Sequence, residues 1–261
     1  MDNVYTKLSY AKVNIFLKIA GKRGSYHELV SRFVRVKNLY DLIKFEKGTF
    51  RKFTLEGDFG CETKQNTIYK AYVKLLEVDK NIKELFENYK VVVEKNIPEF
   101  AGLGGGSSNC ATFIIMVNEI ANLGLSKDQL SKIAETIGAD VPFFIYEYDS
   151  ANVTGIGEKV EPFDEEILDI KTFTPKIECN TGKIFTSFRD KYYNEISKEE
   201  ANKLLNMKSI DILNSMNINS ANDLYLPALD NYPQLLLENY NLPKNSFFSG
   251  SGSSFFYIIK R

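Results

Sequence analysis

Apart from Phe16, apolar and polar residues alternate from Ala11 to Ile19. Ala11, Val13, Ile15, Leu17 and Ile19 fall on one face, and Lys12, Asn14, Phe16 and Lys18 on the other. A period of two predicts a half-buried strand. Lys12 and Asn14 then project from the same face, ~7 Å apart. A turn, GKRGSYHEL, leads into more strand-like sequence up to Tyr40, and again near Phe53 to Leu55. The period changes at Asn66–Glu77, where Ile68, Ala71, Tyr72 and Leu75 make a helical stripe with Asn66 placed as its N-cap. Val91–Val93 is predicted as a short strand and the apolar run from Cys110 to Gly124 as a helix. Ser126-Lys127-Asp128-Gln129 has the form of a capping box opening a helix to Ile137, with Gly138 in the C′ position. Asp140 then sits on a loop before a predicted strand, Phe143–Ile145. Gly155-Ile156-Gly157 makes a candidate boundary. Beyond it, Thr172–Glu178 and Phe255–Ile259 read as strands, Ser197–Leu205 and Leu229–Tyr240 as helices, and Tyr193–Asn222 as solvated helix and loop. The expectation is a mixed α+β chain in two parts, without repeats.

The stretch between strand and helix, Pro98 to Asn109, reads PEFAGLGGGSSN, and four of the five residues Gly102–Gly106 are glycine. Glycines let backbone approach a ligand closely and take φ > 0 at no steric cost. At a helix N-terminus they aim free N–H groups and the positive end of the dipole at an anion, and a nucleotide phosphate is the natural guest. The loop is not a Walker A motif, because Ser107 stands where that motif has lysine. It also lacks the third glycine of the dinucleotide fingerprint. A flexible linker would not lead at once into so apolar a helix.

Composition narrows the partners. With 33 basic and 34 acidic residues among 261, the net charge of −1 favours neither nucleic acid nor an anionic membrane. No apolar run reaches the ~20 residues that span a bilayer, and MDNVYTKLSY lacks the regions of a signal peptide. Three scattered cysteines and one histidine argue against a disulfide framework and against zinc. A reduced, cytoplasmic protein is expected.

Several separated segments, in order, resemble the GHMP kinases, small-molecule kinases with a Gly-Leu-Gly-Ser-Ser type of phosphate loop: AKVNIFLKI (11–19), YHEL (26–29), NTIYKA (66–71), PEFAGLGGGSSN (98–109), IGADVPFF (137–144), GIGEKVEP (155–162) and SGSGSS (249–254). GGGSSN, YHEL and GADVPFF are most similar to the branch that phosphorylates the 2-hydroxyl of 4-(cytidine 5′-diphospho)-2-C-methyl-D-erythritol in non-mevalonate isoprenoid synthesis. There are departures: Gly24-Ser25 lacks the acidic residue usual before Tyr-His, and Cys110 replaces alanine. The resemblance implies a two-domain α+β fold: an N-terminal ATP-binding domain (1–154) like the second domain of ribosomal protein S5, and a ferredoxin-like C-terminal domain (155–261). It also implies ATP as phosphoryl donor, Mg²⁺, and a monomer or weak homodimer.

Residue roles follow from the same resemblance, each beside a plainer alternative. Asp140 would be the catalytic base, although an aspartate can simply decorate a helix end; at a helix C-terminus the dipole disfavours it. Lys12 would keep Asp140 ionised and offset phosphoryl charge, whereas a strand lysine alone is usually solvated. Asn14, Tyr26, His27, Thr181 and Phe185 would bind the cytidine substrate, with Tyr26 and Phe185 stacking on cytosine and His27 hydrogen-bonding it; a lone histidine and a phenylalanine are otherwise structural. ATP would meet Asn66, Lys95 and the loop Pro98, Glu99, Phe100, Ala101, Gly102, Leu103, Gly104, Gly105, Gly106, Ser107 and Ser108. Ser107 is also the candidate Mg²⁺ contact. Asn66, Ser107 and Ser108 can equally be helix caps, and Lys95 solvated. Gly250 and Gly252 would bring the last loop close to the active site, or form a tight turn. Two alternatives remain: a GHMP kinase for a homoserine- or mevalonate-like alcohol, and an inactive nucleotide-binding module.

Overall fold

The computed structural model describes residues 4–259. The chain packs as two compact units interleaved in sequence, with changes at 11/12, 36/37, 97/98, 104/105 and 147/148. The expected division at 154/155, by contrast, is a single cut.

The first unit is formed by the chain up to Ala11, Lys37–Ile97 and Gly105–Glu147. It takes the beginning of strand β1 (Tyr5–Arg23) and the end of β2 (Tyr26–Lys47), with β3 (Leu55–Gly57), helices α1 (Thr67–Val78) and α2 (Ile82–Asn88), β4 (Tyr89–Glu94), α3 (Gly105–Ile120), α4 (Lys127–Glu135) and α5 (Val141–Tyr146). The end of β2 runs antiparallel to β4, with Ile43 opposite Val93, and β3 lies parallel to β4. The predicted stripe of α1 is the one buried, and Asn66 Oδ1 caps it by accepting from Ile68 N at 2.9 Å. Helix α3 packs against α1, α4 and α5, and its residues Ser108 to Val117 are all buried.

Three expectations change here. Helix α3 starts at Gly105, five residues before the apolar run, so the last glycines and both serines form its first turn. The capping box of Ser126 and Gln129 is present, but α4 ends at Glu135, and Gly138 keeps negative φ. Val141–Tyr146 is a helix rather than a strand. The apolar run Val141–Ile145 is buried on all sides and has no period to separate the two.

The second unit comprises Lys12–Val36, Pro98–Gly104 and the chain from Tyr148 onward. It holds the rest of β1 and β2, joined by a turn at Gly24-Ser25, then β5 (Ser150–Gly155) and β6 (Lys159–Pro162). The second sheet has the order β7 (Ile170–Phe173), β9 (Phe255–Ile258), β8 (Phe247–Phe248). Between β7 and β8 run α6 (Thr181–Ser187), α7 (Lys198–Asn206), α8 (Ser209–Ser215), α9 (Ile218–Ala221), α10 (Tyr225–Asn231) and α11 (Leu235–Tyr240). β5 pairs with β2 (Phe33 opposite Ala151) and with β6 (Val153 opposite Val160). Gly155-Ile156-Gly157 lies at the hairpin turn that joins β5 to β6.

β1 is not half-buried. Lys12, Asn14 and Phe16 are as inaccessible as the apolar face, so alternation here separates two buried faces. The expected helix Leu229–Tyr240 is two, broken before Pro233, which cannot donate the helical bond. The predicted solvated stretch buries Ile212 and Leu213. It also receives Arg32, a wholly buried side chain that donates to Asn152 Oδ1 (2.7 Å) and to the carbonyls of Leu205 (2.9 Å) and Met207 (3.3 Å). Its guanidinium stacks 3.4 Å from the Phe163 ring centroid and faces Glu165 at 3.5 Å. Burial lowers its pKa to about 10 against the opposing pull of Glu165.

Candidate functional site

In the second unit the loop Pro98–Gly104 is tied to β1 and to the last loop of the chain. Lys12 N donates to Leu103 O at 2.9 Å. The buried Lys12 Nζ donates to Asn14 Oδ1 (2.7 Å) and to Gly102 O (3.1 Å), and lies 4.5 Å from the Phe33 ring centroid. Asn14 Nδ2 in turn donates to Ser31 Oγ at 3.0 Å. The expected same-face pair thus becomes a direct hydrogen bond, and Lys12 is oriented rather than solvated.

Gly102 O also accepts from Ser249 Oγ at 2.9 Å. At φ +73°, a Cβ on Gly102 would fall 2.1 Å from Ser249 O, so only glycine permits this approach. Ser254 N donates to Ala101 O (3.1 Å) and Cys179 N to Phe100 O (3.4 Å). Asn222, which sequence reasoning passed over, clamps the last loop by donating to Phe248 O (3.0 Å) and Gly250 O (2.9 Å). Pro98 is half-buried, Glu99 and Phe100 are exposed, and Leu103 is buried.

His27 is buried in the same unit. Its ring stacks on Phe185 with centroids 5.3 Å apart at 18°, and meets Phe188 edge-on at 5.6 Å. Nε2 is buried without a hydrogen-bond partner. Burial, reinforced by the positive charges of Arg189 and Lys22, lowers the pKa below 6.5, so the imidazole is neutral at pH 7. Tyr26, the preceding residue in the strand, is 63% exposed. Thr181 opens α6, with its Oγ1 2.7 Å from Ser251 Oγ.

In the first unit, α3 leaves the loop at Gly105 with its first-turn N–H groups at Gly105, Gly106, Ser107 and Ser108. Such groups have no partner within their helix and attract anions. Thr67 Oγ1 donates to Gly106 O at 2.7 Å, joining the start of α1, capped by Asn66, to that turn. Ser107 is half-buried. Ser108 is turned inward, where it accepts from Ser9 Oγ at 2.8 Å. Lys95, expected near the nucleotide, places its ammonium on the Asp41 carboxylate and 3.1 Å from Asn109 Oδ1. Asp41 was missed in the sequence; the available signal is one acidic residue inside the apolar run Leu39–Ile43. Asp140 is the half-buried N-cap residue of α5, with no capping bond from its side chain. It therefore stands at the favourable end of one dipole, not only at the unfavourable end of another. Burial raises the pKa of Cys110, keeping the thiol protonated and unreactive. Among the described residues no group of three or more His, Cys, Asp or Glu is arranged to hold a metal ion.

Known proteins supply an independent comparison. Residues 66–148 match the sequence model of the GHMP kinases N terminal domain. A 4-diphosphocytidyl-2-C-methyl-D-erythritol kinase of Sulfurimonas denitrificans is 51% identical over 259 residues, covering 97% of this chain and 96% of the relative. The same enzyme of Helicobacter pylori is 38% identical, covering 95% and 92%. A crystal structure of 4-(cytidine 5′-diphospho)-2C-methyl-D-erythritol kinase matches with a TM-score of 0.75 at 28% identity, over 97% of this chain and 90% of that one. The mevalonate kinase of Methanococcus jannaschii shares the fold, with a TM-score of 0.59 at 15% identity. Identity of this extent, over 95% or more of this chain, makes this protein a member of the GHMP kinase family, with the two-domain α+β fold of that family.

Proposed function

We propose that the protein transfers the γ-phosphoryl group of ATP to the 2-hydroxyl of 4-(cytidine 5′-diphospho)-2-C-methyl-D-erythritol. The observation that carries this reading is the buried, unpartnered Nε2 of a neutral His27 beside the face of Phe185. A buried polar atom left unpaired costs free energy unless a ligand completes it. The edge of a cytosine ring offers both the hydrogen bond and the flat face. A homoserine- or mevalonate-like alcohol can hydrogen-bond but offers no flat face. Stacking one base contributes ~1–3 kcal/mol.

Phosphoryl transfer asks the protein chiefly for position and charge. In this reading the loop Pro98–Gly104 and the first turn of α3 cradle the phosphates, with Asn66 at the nucleoside. Lys12, desolvated and oriented by Gly102 O and Asn14, offsets charge on the transferring group. Asp140 accepts the hydroxyl proton, and Asn14, Tyr26, Thr181 and Phe185 contribute to the substrate site. Mg²⁺ takes most of its ligands from phosphates and water, so a site without a carboxylate cage suits it. Ser107 would add a hydroxyl, and the ion supplies charge neutralisation when bound. The ATP-binding and catalytic functions belong to residues 1–154 and part of the substrate site to 155–261.

The test is ADP release from MgATP with a panel of alcohols: the cytidine diphospho-methylerythritol, homoserine, mevalonate and none. Turnover with the first alone is expected. Turnover with another alcohol removes the cytosine pocket from the reading. ATP binding without turnover on any of them makes the protein an inactive binding module.

A further inference from the structure

The Asp41 carboxylate is wholly buried and accepts four hydrogen bonds, each from a residue beside the glycine loop. Oδ1 accepts the backbone N–H of Asn96 (2.7 Å) and of Ile97 (2.8 Å), the last two residues before the loop begins at Pro98. Oδ2 accepts from the Lys95 ammonium and from Asn109 Nδ2 (2.9 Å). Asn109 lies one turn into α3, five residues after the loop ends, and also donates to Ser9 Oγ at 2.9 Å. One side chain therefore holds the entrance and the exit of the loop together. The two ends are in contact: a Cβ added to Gly105 would lie 2.9 Å from Ile97 Cγ2 and 3.6 Å from Lys95 Nζ. The Lys95 side chain is only 9% exposed, and its charge is directed at Asp41.

We propose that Asp41 is a positioning residue for nucleotide phosphate. It presets the spacing of the loop ends, and Lys95 serves as its counter-ion instead of touching ATP. The inference rests on the reading of the loop as the ATP cradle. A loop whose ends are fixed in advance does not have to be ordered when the phosphates arrive. The carboxylate is suited to this because its two oxygens can accept all four donors at once.

The experiment compares the wild type with Asp41→Asn, Lys95→Met and the double variant Asp41→Asn/Lys95→Met. Melting temperature, the Kd of a fluorescent ATP analogue, and KM for each substrate are measured. In Asp41→Asn, Oδ1 still accepts from residues 96 and 97. The new amide, however, faces the Lys95 ammonium and Asn109 Nδ2, donor against donor. Removing a charge-assisted bond of this kind weakens ATP binding by about tenfold or more, while KM for the cytidine substrate stays unchanged. In the double variant the ammonium is gone, and Asn109 can turn its amide to accept from the new one. ATP affinity is then expected to recover most of the loss. If the Asp41→Asn protein fails to fold, Lys95→Met and the double variant still decide the matter. Equal loss of ATP affinity in Lys95→Met and the double variant means that Lys95 binds ATP directly and overturns the proposal. Unchanged ATP affinity in a folded Asp41→Asn protein also overturns it, as does an equal rise in both KM values. A wild type that does not bind the ATP analogue would instead count against the cradle reading itself.

Discussion

A carboxylate proposed to take up a proton and one that holds backbone in place need opposite surroundings. Asp41 is saturated with donors, whereas Asp140 is half-buried and leaves the helix N–H groups beside it uncapped by its side chain. Replacing Asp140 with asparagine keeps shape and removes basicity. We expect kcat to fall by about 10²–10⁴-fold with the affinity for ATP retained. Stopped-turnover and nucleotide titrations read the two quantities separately, and a loss confined to ATP affinity would remove Asp140 as base. His27 makes a pH prediction. Its pKa is held below 6.5 in the fold, so its neutral form dominates above that value in folded and unfolded chains alike. Substrate binding that depends on neutral imidazole then weakens as pH falls through a midpoint below 6.5. A KM for the cytidine substrate whose rise has its midpoint above pH 6.5 would contradict this. Phe185→Ala should raise the same KM by the ~1–3 kcal/mol of one stacked base and leave that for ATP alone. At this scale residue types are legible along the chain, and orientation is not. The family resemblance names His27 as a hydrogen-bonding group and Phe185 as a stacking face, yet nothing along the chain says that the two rings stack on each other. Asp41 stands out only as an acidic residue in an apolar run, and its role is hidden because its four partners lie 54 to 68 positions away in the chain.

Elements were most legible where one periodicity or one cap decides. Helix α1 follows from its stripe and from Asn66, and α4 begins at its capping box. The start of α3 was hidden because glycine has no helical preference, so the eye places the helix at the first apolar residue. The fold places it where the N–H groups are required. β1 was misjudged in burial for a related reason. Alternation marks two faces, but only packing tells whether both are covered. Gly102 makes this scale testable. Gly102→Ala adds left-handed strain of ~1–2 kcal/mol and drives a methyl group into Ser249 O. The loop and the last turn of the chain must separate, so both melting temperature and ATP affinity should fall. An alanine variant that melts with the wild type and binds ATP equally well would show that the approach of the two loops is dispensable.

Over the whole molecule, the mixed α+β class was legible and the interleaving of the units was not, since it depends on contacts between distant segments. Arg32 illustrates the gap: a strand arginine looks solvated in sequence, yet it is wholly buried and joins β2 to the end of α7. Removing it as Arg32→Met leaves Glu165 buried without its counter-charge and should cost about 3–5 kcal/mol in urea unfolding. Changing Glu165 to glutamine as well should recover much of that, and no recovery would mean that the hydrogen bonds to Leu205 and Met207 dominate. The five changes between units along the chain have a consequence for descent. A single recombination event exchanges everything on one side of a point, and no point in this chain separates one unit from the other. A hybrid gene made by one crossover between distant relatives would therefore build at least one unit from two parents. Lineages of such a protein are expected to diverge by substitution along an undivided chain rather than by trading modules, and the end-to-end coverage of its relatives agrees with that.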